Sequence, residues 1–250
     1  MPRFYISPDQ WNLDALVLQS DEAHHCTNVL RLAVGDRVTA FNGQGAESSA
    51  EITELSVSEV KLRAISSQKS GPLATRIGLA QAVPKGKYMD LIVQKATELG
   101  AAAVHPLLSE RTVIRVDADE ASRKKEKWRR VALEACKQSG QNWLPEVTQP
   151  KSPADYFAGN FYGDYDLKLV ASLEPDARDL RDILSEFEAA NGKRPGSSVV
   201  LIGPEGDFTP AEVNAAKAAG CVALGLGPIV LRTETAAIHA ISILGYELRV

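Results

Sequence analysis

Between residues 73 and 250, short apolar segments alternate with longer amphipathic ones, and this alternation constrains the fold more than any other feature of the chain. The apolar segments are typical of strands, namely RIGLAQAV, AAAVHPLL, LKLVASLEP, SSVVLIGPEG and CVALGLG. Helical spacing of apolar residues marks the intervening segments and the last one, TETAAIHAISILGYELRV. Strands that alternate with helices predict an α/β domain whose mostly parallel sheet is covered on both faces.

Several predicted helices carry specific boundary residues. Gly100 and Gly140 follow helical segments where a glycine commonly ends a helix. In TPAEVNAAKAAG, Thr209 is the predicted N-cap and Glu212 completes a capping box, while Gly220 marks the end. These signals support the α/β alternation independently of its apolar periodicity.

The first 70 residues have a different texture. The segments DRVTAFNG, AESSAEITEL and VKLRAISS are rich in Val, Thr and Ile and are separated by turn residues, which predicts a small β-barrel. FNGQG favours a hairpin turn between the first two of them. The polar stretch Ser67–Thr75 is the predicted linker, so we expect one domain over 1–70 and another over 73–250.

Composition excludes several classes of protein. The chain has 250 residues, 44% of them hydrophobic, without the run of about 18 apolar residues that a membrane span needs. We expect no secretory signal at the start. Cys26, Cys136 and Cys221 are scattered and form no CxxC pair, which argues against a disulfide framework or a zinc site. A reducing, cytoplasmic location is expected.

Charge is distributed unevenly along the chain. The net charge is −4, but RKKEKWRRVALEACK, residues 123–137, holds seven Lys or Arg and two Glu, an excess of +5 that leaves −9 for the rest. Phosphate contacts are local, so such a segment suits RNA despite the overall sign. A solvated helix face explains the run equally well.

Two glycine-containing loops follow successive predicted strands of the α/β domain. They are IGPEGDF, Ile202–Phe208, and LGLGPIVLRTE, Leu224–Glu234. Open α/β sheets bind ligands at the carboxyl ends of their strands, and glycine lets the backbone approach a ligand closely. Each loop alone is explained by a tight turn, whereas the pair favours a pocket. Pro228 and Val230 break any dinucleotide fingerprint, and no GxxxxGK[ST] occurs.

The same two motifs, LIGPEG and LGLGPIVLRTETAA, closely resemble the SPOUT class of RNA methyltransferases. Together with RFY and HHCTNVLRLAVGD near the start, the chain resembles the bacterial ribosomal RNA small subunit methyltransferase E family, which methylates N3 of a uridine in 16S rRNA. The resemblance implies a SPOUT fold with a C-terminal deep trefoil knot, a PUA-like β-barrel at the N-terminus and a homodimer. It also implies S-adenosylmethionine as cofactor and 16S rRNA of the small ribosomal subunit as partner.

The resemblance assigns site residues by position. Cofactor contacts, made largely through the backbone, are expected from Leu173, Ile202, Gly203, Pro204, Glu205, Gly206, Leu224, Gly225, Leu226, Gly227, Ile229, Leu231, Thr235 and Ala236. RNA contacts are expected from the N-terminal domain and the basic helix, at Arg3, His25, Arg31, Arg129, Arg130 and Asn142. The chain departs from the common family pattern at Cys26, at Gln141, where arginine is common, and at Asp207, where a second glycine is common.

Arg232 and Glu234 are the predicted catalytic residues. Methyl transfer to N3 of uridine requires loss of the N3 proton, whose pKa lies well above neutral, so a base or a cation that stabilises the developing anion must lie close. Arg232 suits that role, at the start of an apolar helix for which Thr233 is the expected N-cap. The alternative is a structural ion pair between Arg232 and Glu234.

The remaining candidates have simpler explanations. His24, His25 and Cys26 suggest a metal site, but neighbours in a strand or turn point apart, so we expect no metal. His105 and His239 are expected in the core or an interface, and Trp128 either in the core or among phosphate-binding side chains. Two other functions stay open: a different SPOUT reaction, on ribose 2′-O or guanosine N1, and a non-catalytic RNA-binding protein of ribosome assembly.

Overall fold

In a computed structural model the chain is described over residues 1–56, 58–112, 117–159 and 165–249. It forms two compact units, one of Met1–Pro72 with Leu133–Leu144 and one of Leu73–Ala132 with Pro145–Val250. The chain first passes from one unit to the other between Pro72 and Leu73, inside the stretch 67–75 that was predicted as the linker. The first unit also recruits a segment from the middle of the chain, which no local sequence signal indicated.

The first unit is built on a five-stranded sheet in the order β1-β3-β4-β5-β2. Its strands are β1 Arg3–Tyr5, β2 Leu16–Gln19, β3 Arg37–Phe41, β4 Ala46–Leu55 and β5 Glu59–Lys69. β1 runs parallel to β3, and the other neighbours are antiparallel. Alternate residues point into an apolar core that includes Phe4, Leu16, Val38 and Ile52.

The predicted hairpin between β3 and β4 is confirmed. The Asn42 side-chain oxygen accepts the backbone N–H of Gln44 at 2.8 Å and of Ala46 at 3.0 Å, which closes the turn. Gly43 and Gly45 have φ of 71° and 89°, a conformation that favours glycine.

The prediction of a strand or turn at His24, His25 and Cys26 is wrong. The chain forms α1, Ser20–His24, and continues into a π-helical turn, His25–Val29. Cys26 and Ala23 point into the core of the unit. The segment is too short for the periodicity of its apolar residues to have revealed a helix.

The second unit contains a six-stranded sheet in the order β11-β9-β10-β6-β7-β8, with every neighbouring pair parallel, as the alternation predicted. Its strands are β6 Arg76–Ala82, β7 Ala103–Leu107, β8 Glu146–Val147, β9 Leu167–Ala171, β10 Ser197–Ile202 and β11 Val222–Leu224. The central strand β10 is buried along its whole length. Both of its faces are therefore covered.

The helices are α2 Tyr88–Glu98, α3 Ala118–Ser139, α4 Pro153–Ala158, α5 Leu180–Asn191, α6 Pro210–Ala218 and α7 Thr233–Arg249. α7 packs on β6 and β10 and against α2, while α6 packs on β9 and against α4. The capping box of α6 is confirmed, since Thr209 Oγ1 accepts the N–H of Glu212 at 3.3 Å and the Glu212 carboxylate accepts the N–H of Thr209 at 2.9 Å. No described helix is long and apolar enough to cross a membrane.

Candidate functional site

A cavity of about 180 Å³ lies in the second unit where β9 and β10 end and beside the loop that follows β11. These three strands are neighbours and parallel, so their carboxyl ends open at one edge of the sheet. The wall consists of Ala171, Ser172, Leu173, Ile202, Gly203, Pro204, Glu205, Asp207, Leu226, Gly227, Ile229, Val230, Leu231, Arg232, Thr233 and Ala236. The two loops that the sequence paired therefore meet at one site.

Most of the residues expected to contact the cofactor lie on this wall: Leu173, Ile202, Gly203, Pro204, Glu205, Leu226, Gly227, Ile229, Leu231 and Ala236. Gly206, Leu224, Gly225 and Thr235 lie off it. Leu224 is fully buried in β11, and the N–H of Gly225 donates to the carbonyl of Arg178 at 2.9 Å. The sequence missed Ala171, Ser172, Val230 and Thr233 as wall residues, whereas Asp207, whose carboxylate was expected near the pocket rim, does line the cavity.

Large apolar side chains stand exposed around the cavity. Leu173 is 65% exposed, and Ile229 and Val230 are each 73% exposed. Apolar side chains that are exposed together commonly mark a binding surface, whereas single scattered ones need no explanation. They suit the flat faces of an adenine ring, and the glycine-containing loops beside them leave backbone polar groups for its edge.

The loop after β10 makes a close approach to itself at Gly203. A Cβ on Gly203 would lie 2.6 Å from Asp207 Oδ1 and 3.0 Å from the backbone nitrogen of Phe208, so only glycine fits without a shift. Asp207 has φ of 60°, a left-handed conformation that aspartate tolerates and glycine prefers. The backbone at position 207 therefore suits the glycine that the family resemblance led us to expect, and it also accommodates the aspartate of this chain.

Asp207 also brings a half-buried carboxylate to the cavity wall. Burial raises its pKa above the usual range, against the lowering effects of the Phe208 N–H, which donates to Oδ1 at 2.7 Å, and of Arg111. The same loop is held from outside by two contacts. The Glu205 carboxylate accepts the N–H of Lys85 at 2.8 Å, and the Arg111 guanidinium donates to the carbonyl of Gly206.

The sequence predicted Thr233 as the N-cap of the last helix, and this prediction is wrong. Thr233 is the first residue of α7 and is buried. Its hydroxyl donates to the carbonyl of Gly203 at 2.6 Å and accepts from the side-chain amide of Gln81 at 2.9 Å. Gln81 is fully buried on β6, and its amide also donates to the carbonyl of Ala82 at 2.8 Å. Thr233 thus ties the two cavity loops together, and Gln81, a residue that sequence analysis did not single out, holds the Thr233 hydroxyl from β6.

The two predicted catalytic residues are placed differently. Arg232 is exposed and lies on the cavity wall, whereas Glu234 is half-buried and lies off it. Within the described part of the chain, no salt bridge joins their side chains, so the ion-pair alternative finds no support in the geometry. Arg232 is free to meet a ligand in the cavity.

Arg3 and Asn142, two of the predicted RNA contacts, are bound to each other in the first unit. The Arg3 guanidinium donates to Glu47 at 2.7 Å and to the Asn142 side-chain oxygen at 2.6 Å, and lies 4.9 Å from the centre of the Phe41 ring. The Arg3 side chain is only 14% exposed. An RNA contact from either residue requires that this network be broken.

The basic run on α3 is partly neutralised. Lys127 pairs with Asp90 at 2.6 Å in the second unit, and Lys137 pairs with Glu22 and Glu134 in the first. Arg130 is exposed and Arg129 is half-buried. Trp128 is buried, which places it in the core and not among phosphate-binding side chains. Among the described residues, the basic run therefore offers RNA fewer cations than its composition suggests.

The other predicted RNA contacts lie in the first unit, after β2. His25 is half-buried, with its ring 6.0 Å from that of Phe4 in an edge arrangement. Arg31 is exposed and has φ of 54°. Over the residues that the structure describes, no group of three or more His, Cys, Asp or Glu side chains is placed to hold a metal ion.

His105 and His239, the remaining histidines, differ in burial. His105 is buried, its Nε2 lies 3.3 Å from the Tyr165 hydroxyl, and burial, with Arg76 and Lys151 nearby, lowers its pKa to about 4. It is therefore a neutral core residue at physiological pH. His239 is exposed on α7, so only the interface alternative remains for it.

Two known protein families match the chain, and the boundary between their matches lies near residue 72, where the chain first passes from one unit to the other. Residues 71–245 match the RNA methyltransferase domain family, and residues 18–65 match the RNA methyltransferase PUA domain family. The first match covers the sheet and the cavity of the second unit. The second match covers most of the five-stranded sheet.

Individual relatives match along nearly the whole chain. The ribosomal RNA small subunit methyltransferase E of Bacillus subtilis is 32% identical over 99% of this chain and 97% of its own length. A solved methyltransferase from Legionella pneumophila in complex with the bound cofactor SAM superposes with a TM-score of 0.86 at 32% identity, covering 98% and 97% of the two chains. The ribosomal RNA small subunit methyltransferase E of Neisseria gonorrhoeae, bound to S-adenosyl methionine, gives 0.85 at 30% identity, covering 99% and 98%.

Proposed function

The chain belongs to the ribosomal RNA small subunit methyltransferase E family, and on this premise we propose that it transfers a methyl group from S-adenosylmethionine to N3 of uridine 1498 in 16S rRNA. It is an S-adenosylmethionine-dependent ribosomal RNA methyltransferase. The observation that carries the proposal is the convergence of the GPEG and LGLGPIVLRTE loops on one cavity at the edge of a parallel sheet.

The cavity fits this cofactor in its chemistry. The exposed side chains of Leu173, Ile229 and Val230 provide apolar surface for the adenine ring. Gly203 and Gly227 provide backbone that carries no side chain in the way of the ligand. When bound, S-adenosylmethionine supplies an electrophilic methyl group. The protein's own task is then to bind the uridine and make its N3 nucleophilic.

Arg232 is the residue best placed for that task. Loss of the N3 proton spreads negative charge over the O2–N3–O4 edge of uracil, and a planar guanidinium can donate to two of those atoms at once. An arginine held at the cavity wall stabilises this anion more than the neutral base, so its effect falls on the transition state. Glu234, off the wall, retains only an indirect part in the proposal.

The family resemblance also supports a C-terminal trefoil knot, a homodimer and action on ribosomes in the cytoplasm. The buried residues of α7, among them Ala237, Ala240 and Leu244, suit a helix packed on several sides. We include these features in the proposal. Sedimentation of the purified protein tests the dimer separately from the reaction.

Mass spectrometry of 16S rRNA nucleosides tests the function directly. Small ribosomal subunits from a strain lacking this protein should contain unmodified uridine at position 1498, and they should gain N3-methyluridine there when incubated with the protein and S-adenosylmethionine. Arg232→Ala is the matched control, because it should bind the cofactor but transfer little methyl. Methylation of a ribose 2′-O or of guanosine N1 would identify a different SPOUT reaction. Cofactor binding without any methylation would favour a non-catalytic assembly protein.

A further inference from the structure

The first unit contains a cavity that the cofactor chemistry does not use. It has a volume of about 400 Å³ and is bounded by the loop between β1 and β2, the β3–β4 turn and the end of β5. Ligand pockets commonly have volumes of about 300–1,000 Å³, so the cavity is large enough for a small organic group. Its wall combines one aromatic side chain, several amides and one lysine.

The apolar part of the wall is formed by Trp11 and Leu13. Trp11 is half-buried and packs against the apolar core of the unit, so its ring is supported from behind. Leu13 is 41% exposed beside it. A supported indole that faces a cavity is a suitable platform for another flat ring, because base-on-aromatic stacking needs a fixed apolar face.

The polar part of the wall carries both donors and acceptors. The Asn42 side-chain oxygen is occupied by two backbone N–H groups, which leaves its NH₂ group to donate. The Gln68 NH₂ group donates to Glu47 at 3.1 Å, which leaves its oxygen to accept. Gln44 is exposed on the turn and adds a second amide. Nucleobase edges present this combination of donors and acceptors.

The charges of the wall favour a phosphate beside Lys69 over one beside the Glu47 carboxylate. Glu47 lines the cavity and pairs with Arg3 at 2.7 Å. Burial opposes its ionisation, but hydrogen bonds from Arg3, Asn142 and Gln68 outweigh burial and lower its pKa, so it is an anion at neutral pH. Lys69 is exposed on the wall, and its side chain has no ion-pair partner within the described residues.

We propose that this cavity binds an unpaired nucleobase of the RNA substrate, stacked on Trp11 and hydrogen-bonded by Asn42, Gln44 and Gln68, with Lys69 at a neighbouring phosphate. Sequence-specific RNA recognition commonly uses unstacked bases held in this way. The proposal rests on RNA being the substrate, as proposed above. It adds a base-reading site in the unit that does not hold the cofactor cavity.

Two RNA ligands and two variants test the proposal. The ligands are a labelled single-stranded hexanucleotide of mixed sequence and an abasic hexamer with the same ribose-phosphate backbone. Trp11→Ala should weaken hexanucleotide binding by about 5- to 150-fold, the range for loss of one base stack, while Trp11→Phe keeps most of the affinity. Neither variant should change binding of the abasic hexamer, because it has no base to stack.

The controls separate binding from folding. Gln44→Ala alters an exposed side chain and should weaken binding of the hexanucleotide only, while Leu55→Ala shortens an exposed apolar side chain of the same unit away from the cavity and should change neither ligand. Melting temperature and S-adenosylmethionine affinity are measured on every variant. Equal binding of the two hexamers by the wild type, or unchanged hexanucleotide affinity in both Trp11→Ala and Gln44→Ala, would overturn the proposal. Methyl transfer by the wild type is assayed separately, so failure of the proposed function has its own readout.

Discussion

Arg3 in the first unit and Arg232 in the second carry the same side chain in opposite settings. Arg3 is 14% exposed and is held by Glu47, Asn142 and the Phe41 ring. Arg232 is exposed on the wall of the cavity in the second unit. Both were candidates for contacts with RNA or its reacting base, yet of the two only Arg232 is exposed with no hydrogen-bond or ion-pair partner for its side chain among the residues that the structure describes.

The difference shows that charge alone does not identify a functional arginine. A guanidinium whose donors are already matched to a carboxylate and an amide stabilises the fold, and recruiting it for a ligand leaves those partners unsatisfied. A guanidinium at a cavity wall costs the fold little and can act on a charge that develops during the reaction. Four predictions test this contrast, beginning with the largest effect.

Substitution of the two arginines should have opposite consequences. Arg232→Ala should lower the single-turnover rate by about 10²–10³-fold, the usual loss for one electrostatic donor, with S-adenosylmethionine affinity and melting temperature nearly unchanged. Arg3→Ala should lower the free energy of unfolding by about 1–3 kcal/mol, because Glu47 and Asn142 lose their partner, with little effect on cofactor affinity. Single-turnover kinetics, calorimetric titration and thermal unfolding measure the three quantities.

Two further measurements on Arg232 variants sharpen the comparison between the two arginines. Arg232→Lys should recover part of the rate, since a point charge cannot span two acceptors. Raising the pH toward the N3 pKa of uridine should rescue Arg232→Ala more than the wild type, because the anion then forms without help. A normal rate in Arg232→Ala combined with a lower melting temperature would remove the contrast between the two arginines.

The glycines of the cavity loops should differ in the same way. A Cβ on Gly203 would meet backbone and Asp207 within 3.1 Å, whereas a Cβ on Gly225 would lie 3.6 Å from its nearest neighbour, the Arg178 carbonyl. Gly203→Ala should therefore weaken S-adenosylmethionine binding by about 5- to 150-fold, given about 1–3 kcal/mol for overpacking. Gly225→Ala should change S-adenosylmethionine affinity less than about twofold, because the added Cβ makes no clash and the loop does not have to move. Equal losses in the two variants would mean that Gly225 touches the cofactor after all.

The buried hydrogen bonds around Thr233 provide a matched test of positioning. Thr233→Val removes the hydroxyl that links Gln81 to Gly203, and we expect S-adenosylmethionine affinity to fall by about tenfold, as for one or two lost buried hydrogen bonds. Thr97→Val is the control, because Thr97 is also buried and donates to the carbonyl of Val93 at 2.8 Å on α2. Both variants should lose stability, but only Thr233→Val should lose affinity, and Thr233→Ser should restore it. A similar loss of affinity in Thr97→Val would contradict the positioning role.

The smallest effect concerns two carboxylates with opposite pKa shifts. Glu47 has a lowered pKa, so its contribution to stability is present above its usual titration range and is lost as the pH falls through its folded pKa. Asp207 has a raised pKa, so its contribution is present below its usual range and is lost as the pH rises through its folded pKa. Relative to the wild type, Glu47→Gln should cost less stability as the solution is acidified, and Asp207→Asn should cost less as it approaches neutrality. Chemical unfolding across the acidic range measures both; slopes of equal sign would contradict the assignments.

The elements that sequence analysis predicted well are those with a repeating pattern or a specific boundary residue. Strand β10, helix α2 and the capping box at Thr209 all belong to this class. The elements that it missed, such as β1 with three residues and β8 with two, are too short to show a period. The helical turn at His25 was misread for the same reason.

The candidate site likewise has parts that local sequence signals located and parts that they did not. Sequence motifs located the two cavity loops because glycines beside strand ends are local signals. They did not indicate Gln81, which reaches Thr233 across 152 positions of the chain, or the Arg3 partners, which lie 44 and 139 positions away. Partners that distant depend on which strands become neighbours, and no single segment encodes that order.

The sequence by itself determined the α/β alternation, the two glycine-containing loops and the family, because periodicity and motifs are properties of consecutive residues. The tertiary structure decided which charges remain free. The strand order β11-β9-β10-β6 brings the two loops to one edge and places Gln81 beneath them, and the five-stranded sheet brings Glu47 to Arg3. The physical reason is that a hydrogen bond or an ion pair depends on distance in space, which the sheet sets and the sequence separation does not.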